Sequence, residues 1–467
     1  MSVGTLARVA TPVVDGPRAR MATIEVDVRQ GLPSMTLIGA PDRVATDLRI
    51  RLQEALAEAG LSFPLERITI NVAPARLRER QDGMDLAIAL ALLAASEQIP
   101  GAALDGLAVA GNLTFTGEVR AMRGALACAE EARAQGMRGM MVPDQAAADA
   151  AIVSGLEVRP IADLAEAVAL LRGEAEPRDV PAPAEASDIP DLRDVRGHAA
   201  AIRAMEIAAV GGHSLLLEGE PGSGRTLLAR RLPTILPDLT EAEALEVTRL
   251  HSLAGTRVGE GLTRVRPFRA PHHTISVPGL VGGGPRLEMG EVTLAHHGVL
   301  FVEGSEFSRM ATEALRAARR DRKVTLARGD QAVTYPADFL LVGAEAPAAD
   351  REEARRRERR LGPLGFDLRI TVTAPTSEEM RAEPATSSAA ARARVQTART
   401  RAAARNGQAL RISGAADALL DSPMHTGAIG TLGRQRLCAV AQSIADLDGS
   451  DSVDEAAMTE ALALRGL

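Results

Sequence analysis

"LLLEGEPGSGRTLLARR", Leu215 to Arg231, is the stretch that decides the fold. Three leucines read as a buried strand, G-E-P-G-S-G as a tight loop, and T-L-L-A-R-R as the start of a helix. The spacing is that of a phosphate-binding P-loop, G-x-x-x-x-G-K-[ST], between an apolar strand ("HSLLLEG") and a helix ("TLLARRLPTIL"). Gly219, Gly222 and Gly224 let successive backbone N–H groups face one point, with Glu220, Pro221 and Ser223 between them. The following helix adds the positive end of its dipole. Thr226 stands where a hydroxyl ligates Mg²⁺. One residue breaks the pattern: Arg225 occupies the place of the lysine. The charge survives, but a planar fork replaces a compact ammonium. Phosphate binding is therefore retained more readily than correct placement of a terminal phosphate. A glycine turn with no ligand is the competing reading.

A P-loop enzyme also needs carboxylates at the tip of a neighbouring strand, one for Mg²⁺ and one to activate water. "HHGVLFVEGSEF" (His296–Phe307) supplies a strand, Val299–Val302, with Glu303 at its tip. The residue after Glu303 is Gly304, so one carboxylate remains for two tasks.

The rest of the chain sets the frame. A length of 467 residues predicts two to four domains. An apolar fraction of 46% with 25% charged residues is that of a globular protein, and a net charge of −7 excludes wholesale coating of nucleic acid while leaving room for a local basic channel. Aromatic residues are few, with no Trp and one Tyr, so the cores must be aliphatic. Cys128 and Cys438 form no C-x-x-C and read as reduced thiols. No signal-peptide pattern is present, and the longest apolar run, Leu86–Ala95, is short of the about 20 residues a bilayer requires. A cytoplasmic protein with no membrane partner is expected.

Residues 1–173 alternate strand and helix patterns. Ala22–Val28 and Arg67–Ala73 read as half-buried strands, Asp42–Gly60 as a helix closed by glycine, Asp85–Gln98 as a buried helix, and Gly106–Arg120 as a hairpin. Residues 174–190 have linker composition, rich in Pro, Ala and acid. The P-loop domain follows over 191–377, and an Ala- and Arg-rich helical segment without strand signals over 378–467.

The stretches Arg193–Gly255, Arg266–Gly284, Gly290–Glu303, Val333–Ala344 and Ser443–Gly449 resemble the magnesium-chelatase-like AAA+ proteins of the ComM/YifB type. Ile24–Asp42, Ile68–Arg78 and Gly117–Ala127 are similar to that family's first domain. The resemblance spans nearly the whole chain. It implies a multidomain α/β protein: an S5-domain-2-like, Lon-protease-like α+β N-terminal domain, an AAA+ P-loop α/β domain and a helical C-terminal lid. It implies ATP or ADP with Mg²⁺ as ligands, and a hexameric ring of this chain or of this chain with an active paralogue. DNA is the implied substrate, through ATP-dependent helicase action in branch migration during natural transformation.

The departures from that family fall on its catalytic groups. Its P-loop lysine is Arg225, its Asp–Glu pair is Glu303 alone, and its sensor-1 asparagine is Ala346. Its arginine finger is Asp367, with Arg369 nearby, and its sensor-2 arginine is Leu432, with Arg434 and Arg436 as candidate substitutes. Its cysteine-rich loop is replaced by Ala348–Arg360, and no zinc is expected. A lost arginine finger costs about 10³–10⁵ in rate, and a lost water-activating carboxylate about 10²–10⁴; the two do not add. A pseudo-ATPase is the favoured expectation. A helicase using Glu303, Arg369 and Arg434, and a scaffold that binds no nucleotide, are the alternatives.

Other constellations weigh less. Where the Lon-like domain would carry a serine, "RQDGMD" places Asp82, and residues 1–173 hold no lysine, which excludes a Ser–Lys protease. His272–His273 and His296–His297, read as strand residues, should point to opposite faces and not chelate. "REEARRRERR" (Arg351–Arg360) reads as a solvated helix. Ala391–Arg411, more basic, is the better candidate for contact with a neighbouring subunit or nucleic acid.

Overall fold

The computed structural model describes residues 5–77, 82–183, 189–303, 307–329, 331–348, 350, 352, 362–421 and 430–466. The chain divides into two compact units, one of residues 1–186 with 244–263, the other of residues 187–243 with 264–467. Among the described residues no helix is long and apolar enough to cross a membrane.

The first unit is built on a mixed seven-stranded sheet. Its strand order is Ser34–Leu37, Arg67–Ala73, Arg18–Arg29, Thr5–Asp15, Leu107–Val109, Gly139–Pro143, Glu157–Ile161. The two longest strands pair antiparallel from Thr5↔Val28 to Asp15↔Arg18. Helix Asp85–Ala95 packs against both. Ten of its eleven residues are buried, which is why its sequence is apolar all round rather than striped. Helix Asp42–Glu58 ends as expected, with Gly60 in the left-handed region at φ 70° and its N–H on the Ala57 carbonyl.

The expected hairpin over Gly106–Arg120 is only partly present. Leu107–Val109 joins the main sheet, parallel to its neighbours through Ala10↔Ala108 and Leu107↔Gly139. The hairpin proper is the short pair Asn112–Leu113 with Val119–Arg120. An apolar run buried on both faces has no alternation to distinguish a hairpin arm from a parallel strand.

The second unit carries a five-stranded sheet, ordered Phe268–Arg269, Val299–Glu303, Leu340–Glu345, Leu215–Glu218, Leu368–Thr371, with every neighbouring pair parallel. The P-loop strand is thus interior, flanked by strands that follow it by over a hundred residues. Its residues alternate between two cores: Leu215 and Leu217 face one, Leu216 the other. The first of these cores also receives helices Ala199–Gly211, Ser388–Ala404, Thr431–Asp448 and Glu455–Arg465. The segment expected to lack strands has one pair, Arg411–Ile412 parallel to Ser452–Val453. Two-residue strands carry no period to read.

The single helix expected after the loop is two: Arg225–Ala229 and Leu232–Ile235. Pro233 explains the break. It has no N–H to donate, and its ring clashes with the carbonyl four residues earlier, that of Ala229.

Candidate functional site

The loop Gly219–Thr226 leaves the interior strand at its C-terminal end, the usual ligand edge of a parallel sheet. Both neighbouring strands clamp its first residue. The Gly219 N–H donates to the Glu345 carbonyl at 2.9 Å, and a Cβ at Gly219 would stand 2.2 Å from the Val372 carbonyl oxygen. Gly222 at φ 84° and Gly224 at φ 99° hold the left-handed turns that curl the chain. Ser223 closes the turn through its N–H on the Glu220 carbonyl, 3.0 Å. Its hydroxyl is buried, and among the described residues it has no hydrogen-bond partner. Glu220, Pro221 and Gly222 are exposed, while Arg225 and Thr226 are half-buried at the head of the five-residue helix.

Sequence reading missed a neighbour. His198, at φ 59° before helix Ala199–Gly211, places its Nε2 3.0 Å from where a Gly224 Cβ would be. Burial lowers its pKa from the ordinary 6.5, and Glu379 opposes the shift. The shift favours the neutral imidazole beside the loop. The left-handed backbone that aims it leaves no mark in a single sequence.

The carboxylate and sensor positions occupy the same edge. Glu303 ends its strand, exposed, paired in register with Ala344; Gly304 lies outside the described residues. Ala346 follows strand Leu340–Glu345 and carries only a methyl group.

Asp367, at the finger position, is 8% exposed and faces its own unit. Its Oδ2 accepts from the Ser214 N–H at 3.0 Å, the Ser214 hydroxyl at 2.8 Å and Arg319 Nη2 at 3.1 Å. Arg436 Nε stands 3.7 Å from its Oδ1. Burial lowers the Arg319 pKa, opposed by Asp367.

The candidate substitutes are placed differently. Arg369 Nη1 lies 4.0 Å from Glu218 Oε1, beside the root of the loop. Arg434 pairs with Asp417 at 3.2 Å on the surface, and Leu432 is 62% exposed. Arg436 rather than Arg434 reaches the Asp367 cluster, donating also to the Gly365 carbonyl at 2.9 Å. Ser214 and Arg319 escaped sequence reading, because only the fold brings residues 214, 319, 367 and 436 together.

The histidine pairs are not on strands, which corrects the expected geometry. His272 and His273 lie in a turn with ring centroids 4.1 Å apart, and His272 Nδ1 is 2.8 Å from the Thr274 hydroxyl. His296 and His297 follow the short helix Glu291–Leu294, their rings 3.8 Å apart. The left-handed backbone of His297, φ 57°, swings its ring back over the first. His296 Nδ1 accepts the Asp338 N–H at 3.0 Å.

Three arginines of the basic helix Ser388–Ala404 have partners within the chain. Arg392 pairs with Asp238 at 2.8 Å, Arg394 with the buried Glu206, and Arg399 donates to the Ala209 carbonyl at 2.9 Å. Arg405, just beyond, pairs with the buried Asp446. Apart from Glu352, the segment Arg351–Arg360 lies outside the described residues.

Three family descriptions match the chain. Residues 191–360 match magnesium chelatase, subunit ChlI; residues 24–146 match subunit ChlI of Mg-chelatase; residues 385–465 match the ChlI C-terminal region. The chain is 36% identical to the uncharacterized protein YifB of Escherichia coli K12 over 503 aligned positions, covering 99% of this chain and 97% of that protein. It is 36% identical to an uncharacterized protein of Mycobacterium tuberculosis H37Rv, with 98% of each covered. It is 35% identical to the competence protein ComM of Haemophilus influenzae Rd over 355 positions, 74% of this chain and 69% of that protein.

Proposed function

Because the chain belongs to the magnesium-chelatase-like ComM/YifB family, we propose that it is a nucleotide-binding subunit of a hexameric ring that has kept the phosphate cradle and lost ATP turnover. It acts in assembly or DNA processing, beside copies of itself or an active relative. In this reading residues 1–173 are the S5-like domain, 191–377 the AAA+ domain and 378–467 the lid.

The burial of Asp367 carries the proposal. An arginine finger must leave its own subunit and bring positive charge to a neighbour's terminal phosphate. Here the position is negative and held by Ser214 and Arg319 of the same chain.

The loop itself suits a phosphate. Gly222 and Gly224 are in left-handed conformations, and Ser223 adds a buried hydroxyl with no partner among the described residues. In the proposed complex the backbone N–H groups of Gly222 and Gly224 and the Ser223 hydroxyl bind phosphate oxygens, and Arg225 adds charge. Thr226 and Glu303 are the residues that would hold Mg²⁺, which supplies charge neutralisation when bound. His198 lines the loop at Gly224. Ala346 supplies no group to orient water, and no second carboxylate follows Glu303 in the sequence until Glu306. Binding and positioning are therefore assigned to this chain, and proton removal from water is not.

Titration with a fluorescent ATP analogue, together with phosphate release with and without DNA, tests the proposal. Saturable binding without release supports it. Release at motor rates would establish the helicase reading, and absence of binding the scaffold reading.

A further inference from the structure

The first unit contains a cavity of about 160 Å³ between helix Asp42–Glu58 and the start of helix Asp85–Ala95. Leu48, Met84 and Ile88 contribute apolar wall, and Asp47, Arg51 and Asp85 the polar lining. The volume is far below the about 300–1,000 Å³ of sites for nucleotide- or drug-sized ligands. It is close to the about 150 Å³ that accommodates a single benzene ring.

Its polar groups are of both signs. Asp85 is 6% exposed, and its Oδ2 accepts from Arg51 Nη1 at 2.7 Å and from the Leu113 N–H at 3.4 Å. Burial raises the Asp85 pKa, and the Arg51 charge opposes it, so the carboxylate gains from a further positive partner. Arg51 is about one-third exposed, and among the described residues its remaining N–H groups have no further partner. A guanidinium with donors to spare suits a carboxylate. Asp47 stands at the rim, exposed, and among the described residues its ion pair is with Arg43 at 4.0 Å.

We propose that this cavity binds a free apolar α-amino acid of about leucine size. Its carboxylate lies on Arg51, its ammonium on Asp85 and Asp47, and its side chain against Leu48, Met84 and Ile88. A plain hydrocarbon would leave the ion pair at the wall unused. A ligand with only one charge would satisfy one of the two signs. The zwitterion satisfies both while its side chain stays in the apolar part. No covalent step is involved, and the site is independent of the P-loop.

The test is calorimetric titration of the full chain with leucine, methionine and phenylalanine. Three comparison ligands accompany them: 3-methylbutylamine, which lacks the carboxylate; 4-methylpentanoate, which lacks the ammonium; and aspartate, which lacks the apolar side chain. Leucine should bind saturably, and loss of either charged group should weaken binding about tenfold or more. Asp85→Asn and Arg51→Met should each weaken leucine by a similar factor, and Asp47→Asn by less. Arg51→Lys keeps the charge and removes the fork, so it tests the contact without uncovering Asp85. Circular dichroism identifies any variant that has not folded, and Arg51→Lys then decides. The proposal fails if none of the three amino acids binds at concentrations up to about 10 mM, roughly tenfold above a weak Kd of about 1 mM. It also fails if the amine or the acid binds as tightly as leucine, or if Arg51→Lys leaves leucine affinity unchanged.

Discussion

Replacing Asp367 by alanine should destabilise the second unit severely, and the size of the effect follows from its surroundings. The carboxylate receives two hydrogen bonds from Ser214 and one from Arg319, with Arg436 at 3.7 Å. All of these lie at the base of the parallel sheet, where Ser214 precedes the P-loop strand and Asp367 precedes its neighbour Leu368–Thr371. Removing the carboxylate leaves the Arg319 guanidinium, three-quarters enclosed, facing Arg436 without a counter-charge. Loss of one partner from a buried pair costs about 3–5 kcal/mol. In a unit of this size that corresponds to roughly 6–20 °C in Tm. Asp367→Asn keeps an acceptor for Ser214 and should fall between alanine and wild type. Asp367→Arg restores the residue type of the family's finger, yet it sets a third guanidinium against two others and should be the worst of the three. Urea denaturation followed by circular dichroism measures all of them. If Asp367→Ala stays within about 0.5 kcal/mol of wild type, as an ordinary surface change would, Asp367 is not integrated as described. If Asp367→Arg folds normally and gains ATP turnover, the finger position has remained a finger position.

Gly219→Ala and Gly222→Ala should separate packing from conformation. The first sets a Cβ 2.2 Å from the Val372 carbonyl and should lower stability by about 1–3 kcal/mol, with loss of nucleotide binding. The second meets open space but keeps φ 84°, so its cost should be about 1–2 kcal/mol, both read by thermal melts. Burial lowers the His213 pKa below 6.5, opposed by Asp367, so the unfolded chain binds the proton more readily. Stability from this group is therefore complete above about pH 6.5 and is lost as pH falls through the folded value, and Tm against pH should flatten on the acid side in His213→Gln. Arg394→Met leaves Glu206 buried without its partner and should cost about 1–3 kcal/mol. In a fluorescence-anisotropy titration it should leave any DNA affinity within about twofold, because this guanidinium is already engaged.

The strand and the glycine turn after it were legible because three leucines are followed, one residue later, by glycines at fixed spacing, and both signals are local. The helix after the loop was overextended because the apolar period continued through Pro233, whose missing N–H ended it. The partners of the basic helix were hidden for a different reason. Arginines at helical spacing look like a solvent face, and their partners Glu206, Asp238 and Asp446 lie 188, 154 and 41 residues away. Only the tertiary fold matches them. The His296–His297 pair failed through backbone conformation, since a non-glycine residue at φ 57° cannot be anticipated from its neighbours. At the candidate site, a change of residue type could be read at Arg225, Ala346 and Asp367. What surrounds each could not. Ser214, Arg319 and Arg436 come from three separate elements, and together they convert an apparent loss at position 367 into a buried ionic cluster.

In the proposed function this family member retains the phosphate cradle without the chemistry. The most direct measurement is phosphate release from protein saturated with ATP and Mg²⁺, with and without DNA, with occupancy measured in the same sample. Occupied sites should release phosphate below about 10⁻² per second, about a thousandfold under an ordinary enzyme turnover of about 10 per second. Release at ordinary rates that is abolished by Glu303→Gln would contradict it.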